Sequence, residues 1–308
     1  MATTRGTGSG AGHAGGTRAG AGSGSGAGAG GGGHDGRLAP LILTIFGLYA
    51  RREDNWISVA SVVSLMADLD VDGLAVRSSI SRLKRRGVLR SERRGGAAGY
   101  ALSEDALGLV AEGDRRIFDR RRATEEDGWL LVVFSVPESH RARRHELRSH
   151  LTRLGLGTIA PGFWVAPANL EDEVRHTLER HGLHTYVNLF RGEHLAYGDL
   201  RERVARWWEL GELGALYSEF LARHDQDRVL AESGRSSARD HFRAYVPMLT
   251  RWRRLPYRDP GLPLTLLPEN WPGESARALF ERLDAVMRPR AEEHALSVIH
   301  DPRRGEPG

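Results

Sequence analysis

Between residues 71 and 87 the apolar residues Val76, Ile80 and Leu83 recur at i, i+4 and i+7, the spacing of one face of an α-helix. Arg77, Ser78, Ser81, Arg82, Arg85 and Arg86 fall on the opposite side. Asp72 stands where an N-cap belongs and Gly87 where a helix ends. Ahead of this stretch, SVASVVSLMADL (58–69) predicts a second helix with Val59, Val63 and Met66 on one face, joined to the first by a turn at 70–72. LILTIFGLYA (41–50) reads as an apolar helix opened by Pro40 at its first turn, followed by a short strand around Trp56 and Ile57. VLRSERRGGAAGYAL (88–102) reads as strand, glycine-rich tip and strand, and Ser103 with Glu104 and Asp105 caps one more helix. That order predicts a winged helix-turn-helix over residues 37–118. An apolar-backed helix carrying arginines and small hydroxyls on its front suits a major groove, with Arg93 and Arg94 of the hairpin on neighbouring phosphates.

The pattern then changes. WLLVVFSVP (129–137) is a continuous apolar run, as in a strand buried at the centre of a sheet. A helix bearing Leu147, Leu151 and Leu154 follows, then strands LGTIA and FWVAP joined at Pro161-Gly162. Asn169, with Asp172 three residues on, predicts the cap of a helix carrying Leu170, Val174 and Leu178, and HTYVNLF closes as a strand. The expected unit over 129–197 is a ferredoxin-like βαββαβ domain, reached through a linker at 119–128. Near that linker, Arg115, Arg116 and Arg120–Arg122 fit a solvated helix end better than a DNA contact. Residues 198–308 predict a mostly helical domain. Trp207, Trp208, Leu213, Leu216, Tyr217 and Phe220 mark one helix, Phe242, Tyr245, Leu249 and Trp252 another. A proline-rich crossing separates these from a last helix with Leu279, Phe280, Leu283 and Val286. The expected class is α+β. Residues 1–36 hold 16 of the 38 glycines, too little apolar surface to offset chain entropy, and are expected to form a disordered tail.

Composition narrows the chemistry. The formal charge is +4, and of 44 basic residues only Lys84 is lysine. Arginine keeps its charge and forks onto phosphate or carboxylate. The absence of cysteine excludes disulfides and thiolate metal sites or nucleophiles. No run of eighteen apolar residues and no signal-peptide core is present, so a cytoplasmic protein without a membrane partner is expected. His140, His145 and His150 are spaced by five and do not share a helix face, which predicts surface histidines rather than metal ligands. HExxH, G-x-S-x-G and Walker patterns are absent. Glu171, Asp172 and Glu173 open a helix, where carboxylates complement the dipole. Neither an enzyme, a cofactor nor a metal is expected.

Six segments carry a family resemblance: VRSSISRLKRRGVL (76–89), GYAL (99–102), RRIF (115–118), PGFWVAP (161–167), WWELGELGALYSEF (207–220) and DPGLPLTLLPENWPG (259–273). From about residue 40 to 295 the chain resembles the phenylacetate-catabolism repressor family, the PaaX-type transcriptional regulators. The resemblance implies a homodimeric repressor on inverted-repeat promoter DNA of aromatic-acid degradation genes, released by an aryl-CoA thioester such as phenylacetyl-CoA. Carried over by position, the double-stranded DNA contacts would be Arg77, Ser78, Ser81, Arg82, Arg85 and Arg86, with Arg93 and Arg94 in the wing. A CoA thioester needs basic groups and an apolar slot. Arg141, Arg143 and Arg144 with Trp164, Trp207 or Trp252 are the candidates. The middle unit is similar to the ferredoxin-like nuclease of CRISPR adaptation, which places a metal-binding acid at the end of its first strand; here Ser135 stands near that place. The competing readings are a metal-dependent nuclease and a winged-helix protein-interaction adaptor.

Overall fold

The computed structural model describes residues 31–301 apart from 196, 233 and 234. Residues 1–30 of the expected tail lie outside the described residues. Residues 31–36, also expected in the tail, begin the first helix instead: α1 is Gly31–Leu48, with Pro40 inside it rather than at its start. Proline's fixed φ is itself helical, so the helix continues through it at the cost of one backbone bond. The Thr44 hydroxyl donates to the Pro40 carbonyl at 2.9 Å. Then come β1 (Ile57–Ser58), α2 (Val59–Ala67), α3 (Gly73–Arg85), β2 (Leu89–Arg94), β3 (Ala97–Leu102) and α4 (Glu104–Phe118). The three strands form an antiparallel sheet in the order β1-β3-β2. The buried edge of α2 is Ser61, Val62, Leu65 and Met66, with Val59 and Val63 only half-buried, one position away from the expected stripe. Its neighbours explain the shift, because α2 packs against a C-terminal helix as well as α3, and the Ser61 hydroxyl reaches the Ile299 carbonyl (3.3 Å).

The middle unit follows the βαββαβ order expected: β4 (Trp129–Phe134), α5 (Arg141–Arg153), β5 (Gly157–Ala160), β6 (Phe163–Pro167), α6 (Glu171–Arg180) and β7 (Val187–Gly192). The sheet runs β5-β6-β4-β7, all antiparallel, with the apolar β4 in its interior. Leu130 and Val132 point to one face, where Leu147, Leu151, Val174 and Leu178 of the two helices cover them. Asn169 does not cap α6. A 3₁₀ turn over Ala168–Leu170 precedes the helix, and the Asn169 amide instead donates to the Arg121 carbonyl (3.3 Å).

The C-terminal segment comprises α7 (Leu200–Trp207), α8 (Leu210–Glu232), α9 (Ala238–Trp252), α10 (Leu255–Arg258) and α11 (Pro272–His300). Among the described residues no helix is long and apolar enough to cross a membrane. Expected as separate domains, the first and last segments share one core. Ile42, Ile45 and Phe46 of α1 and Val76, Ile80 and Leu83 of α3 pack in the same cluster as Phe242, Tyr245, Phe280 and Leu283. The second face of the middle sheet is covered by α7 and the proline-rich crossing, through Val165, Val204, Trp208 and Leu262. Gly157 permits this contact, since a Cβ there would lie 2.6 Å from the Trp208 ring, whose Nε1 donates to the Gly155 carbonyl (2.7 Å).

Of the arginines at and before the 119–128 linker, Arg115 and Arg121 are exposed as expected, but Arg116, Arg120 and Arg122 are not solvated. Arg116, 3% exposed, donates to the Pro256 carbonyl (2.9 Å) and the Leu154 carbonyl (2.6 Å) and pairs with Glu173, so one side chain from α4 touches both other units. Burial, reinforced by neighbouring Arg120 and opposed by Glu173, pushes its guanidinium down to about 10. Arg120 donates to the Pro256 carbonyl (2.5 Å), and Arg122 to the Leu262 carbonyl (2.8 Å) and Glu274 (2.9 Å). Asp259, 4% exposed, lies 3.7 Å from Arg122 and accepts from the Tyr217 hydroxyl (2.7 Å) and the Gly261 amide (2.6 Å). Burial alone would raise the Asp259 carboxyl, but Arg120, Arg122, that amide and that hydroxyl hold it below the usual carboxylate range. Asp259→Ala should therefore cost ~3–5 kcal/mol in chemical denaturation, as for a buried ion pair that loses one partner. Because the folded carboxyl titrates low, its contribution is present above the unfolded value of ~3.9 and disappears as pH falls through the folded one. The stability difference between wild type and variant should accordingly shrink on acidification below about pH 4.

Candidate nucleic-acid interface

α3 stands half in the core and half in solvent because both of its ends are secured. Asp72 accepts from the Leu74 and Ala75 amides at 2.9 and 3.1 Å, satisfying donors that the helix start leaves open. At the other end Gly87 takes φ +70°, a conformation glycine adopts without strain. The Val88 amide then returns to the Leu83 carbonyl and the Gly87 amide to the Lys84 carbonyl, a Schellman turn. Val76, Ser79, Ile80 and Leu83 are buried. Arg77, Ser78, Ser81, Arg85 and Arg86 are exposed, and Arg82 is half-buried, donating to the Ser78 hydroxyl at 3.1 Å. Lys84 joins this surface, its ammonium 5.8 Å from the Tyr100 ring. The lysine's place in the LKRR run is the only sequence signal for it.

The wing separates its two arginines. Its tip, Gly95-Gly96, has φ of +54° and +82°, both positive as a type I′ turn requires. Side chains alternate along β2, so Leu89, Ser91 and Arg93 share the face on which Tyr100 and Lys84 meet. Arg93 is exposed there, donating to the Gly96 carbonyl (3.0 Å). Arg94 lies on the other face, against the Trp56 ring (5.7 Å), and donates to Glu92 (2.7 Å) and the Asp54 carbonyl (3.0 Å). Trp56 can lie there because Gly99 has no Cβ, which would sit 2.4 Å from the indole.

The turn before α3 is held from outside the winged unit. Asp68, nearly fully buried, accepts from Arg239 of α9 (2.7 Å) and faces His294 Nε2 of α11 (2.7 Å). Burial would raise its carboxyl, but hydrogen bonds and charge from His294 and Arg239 keep it low. Arg243 pairs with Asp70 (2.5 Å) and donates to the Asp68 carbonyl. Nothing in the local pattern near residue 68 points to partners about 170 and 226 positions away.

The expected effector residues do not converge. Trp164 lies in the core between the middle sheet and its helices, Trp252 in the core shared by the first and last segments, and Trp207 against Trp129 and Trp208 on the second face of the sheet. Arg141 is exposed, Arg143 pairs with Glu146 (2.9 Å), and Arg144 pairs with Glu138 (2.9 Å) and donates to the Val136 carbonyl. The three tryptophans thus sit in three separate surroundings, while Arg143 and Arg144 are engaged on the surface of α5. Of the six, Trp252 alone lines a small cleft between the end of α4, the segment after it and the C-terminal helices, with Arg120, Arg122, Arg277, Tyr217 and Phe280. Ser135 is exposed just past β4, its amide donating to the Tyr186 carbonyl (3.1 Å).

Three family profiles match the chain: "PaaX-like protein" over residues 37–106, "PaaX protein central Cas2-like domain" over 122–204 and "PaaX-like protein C-terminal domain" over 208–297. The chain is 26% identical over 263 residues to the transcriptional repressor PaaX of Escherichia coli (strain K12), spanning 82% of this chain and 80% of that protein. Its fold is similar to that of an uncharacterized protein of Mycobacterium tuberculosis, Rv0674, with a TM-score of 0.54 at 20% identity, covering 84% of this chain and 98% of that one. Local geometry alone generates one expectation: Asp72→Ala removes both cap bonds of α3 and should lower stability by ~0.5–2 kcal/mol in denaturant unfolding, with faster amide exchange in the first turn of the helix.

Proposed function

Because the chain belongs to the PaaX-like protein family, we propose that it is a homodimeric transcriptional repressor that reads promoter DNA with α3 and the wing. The observation that carries this reading is the solvent-facing part of α3, where Arg77, Arg85 and Arg86 are exposed, as are Lys84 and Arg93. Among the described residues none of Arg77, Arg85 and Arg86 has an ion-pair partner, so their guanidiniums are available to phosphates and guanine edges. The E. coli relative bears the name of a repressor, and the same role is proposed here. In a two-fold dimer the paired helices read an inverted repeat with half-sites about one turn, ~10 bp, or a multiple of it apart.

The larger part of the chain then supplies control. Arg239, Arg243 and His294 grip the turn leading into α3, so a displacement of α9 or α11 is transmitted directly to the reading helix. An aryl-CoA thioester is the proposed effector on the strength of the family resemblance alone, because Arg120, Arg122 and Arg277 of the junction cleft are already held by Pro256, Leu262, Glu274 and Glu281.

Binding of the gene's own upstream DNA, measured by fluorescence anisotropy across a salt series, tests the first part. Wild-type affinity should fall steeply with salt. Arg77→Ala with Arg85→Ala should weaken binding by ~1–3 kcal/mol for each base edge no longer read, or flatten the salt slope by ~0.9 for each phosphate no longer neutralised. Arg94→Ala should change little, since its guanidinium is already engaged by Glu92, Asp54 and Trp56. Equal losses at Arg77 and Arg94 would refute the assigned face. For the second part, phenylacetyl-CoA at 100 times its Kd should stabilise the protein by ~2.7 kcal/mol, seen as a raised Tm, and release the DNA; an unchanged Tm with the DNA still bound would refute it.

A further inference from the structure

On the helical side of the middle unit, away from both surfaces above, three side chains with metal-ligand chemistry face one another. Glu146 and His150 stand at i and i+4 of α5 and so share a face. His181 comes from the end of α6, where Gly182 (φ +61°) and the returns of the Leu183 amide to the Leu178 carbonyl and the Gly182 amide to the Glu179 carbonyl form a Schellman turn that fixes its position. Packing of Leu147 and Leu151 with Val174 and Leu178 brings the two helices together. The imidazoles of His150 and His181 lie with centroids 3.9 Å apart at 31°. Glu146 Oε1 is 4.0 Å from His150 Nε2 and 3.9 Å from His181 Nδ1, and donor atoms of all three residues fall within 4.8 Å of one another.

The other carboxylate oxygen is taken: Arg143 donates to Glu146 Oε2 at 2.9 Å and also to the His181 carbonyl (3.4 Å). This outer contact leaves Oε1 directed at the two rings, the role an outer-sphere partner plays in orienting a ligand. His150 keeps only 13% of its side chain exposed, so the cluster has a sheltered side and an open one. Bonds of ~2.0–2.1 Å to a tetrahedral ion place neighbouring donors ~3.3 Å apart, so closure around an ion asks for side-chain movements within ~1 Å.

We propose that Glu146, His150 and His181 bind one divalent cation of the zinc class, clamping the end of α6 to α5. Two imidazoles and one carboxylate suit zinc, nickel or cobalt over magnesium or calcium, which take oxygen ligands. The clamp lies one residue from Arg180, whose guanidinium holds Glu112 of α4, so it also steadies the seam between the middle and winged units.

The test uses the full chain, freed of any affinity tag and stripped with a chelator, and titrated with zinc chloride by calorimetry and with cobalt(II) chloride by visible absorption. One ion per chain, a cobalt d–d spectrum and a raised Tm are expected. His150→Phe, which keeps a ring against His181 without a donor, and Glu146→Gln should each weaken binding at least ~100-fold, beyond the ~10–100-fold typical of losing an outer-sphere partner. His145→Ala, on the exposed side of α5, should bind as wild type does. No stoichiometric binding by wild type, or undiminished binding by folded His150→Phe or Glu146→Gln, would overturn the proposal. Should circular dichroism show both variants unfolded, the wild-type cobalt spectrum decides, since an octahedral all-water or all-oxygen signature would also overturn it.

Discussion

The molecule depends on arginine cations kept out of water at the place where its three units meet. Arg116, Arg120 and Arg122 leave α4 and the segment after it and donate to carbonyls of Leu154, Pro256 and Leu262, while Asp259 and Glu173 balance their charge. Taking such groups from water costs several kcal/mol per ion, so the arrangement persists only where geometry satisfies nearly every donor and acceptor. The units are thereby locked in one relative orientation, because a small rotation would leave charges unpaired in a poorly solvated junction. Apolar packing alone tolerates sliding much better than a directional network does. Arg120 Nη2 is one exception among the described residues, buried without a partner and beside the junction cleft.

The same principle operates at α3 on a smaller scale. α3 owes its existence to local signals, a carboxylate cap and a glycine stop, but its orientation to Asp68 and Asp70, which the C-terminal helices grip through Arg239, Arg243 and His294. A helix carrying so many cations would meet mutual repulsion if moved toward other basic surface, and the anchored turn keeps it facing solvent. With a continuous core running from α1 through α9 to α11, the winged unit and the C-terminal helices behave as one body. A change within the C-terminal helices therefore has a short physical route to the solvent-facing side of α3.

Much of this is legible from residue order. The caps at Asp72 and Ser103, the glycine stop at Gly87, the Gly95-Gly96 tip and the apolar run of β4 each act through backbone conformation or burial within a few residues, so their neighbours suffice to reveal them. The solvent-facing half of α3 is readable for the same reason. Where expectation and structure part, a longer segment or a distant partner intervenes. Pro40 sits inside α1, α2 turns a neighbouring edge inward to meet α11, and Asn169 serves Arg121 instead of capping α6.

Arginine marks the boundary between the two kinds of information. Residue order alone dictates which segments become helices and strands, because capping, glycine conformation and apolar periodicity are local properties. It also dictates that arginine carries nearly all of the positive charge. What each arginine does is settled only in three dimensions: Arg77 projects into solvent, Arg94 folds back on Trp56, and Arg116 is buried beneath two other units. The reason is physical. A long flexible cation has no preferred environment of its own, and its place is set by whichever carboxylates, carbonyls and rings the folded chain brings within its reach.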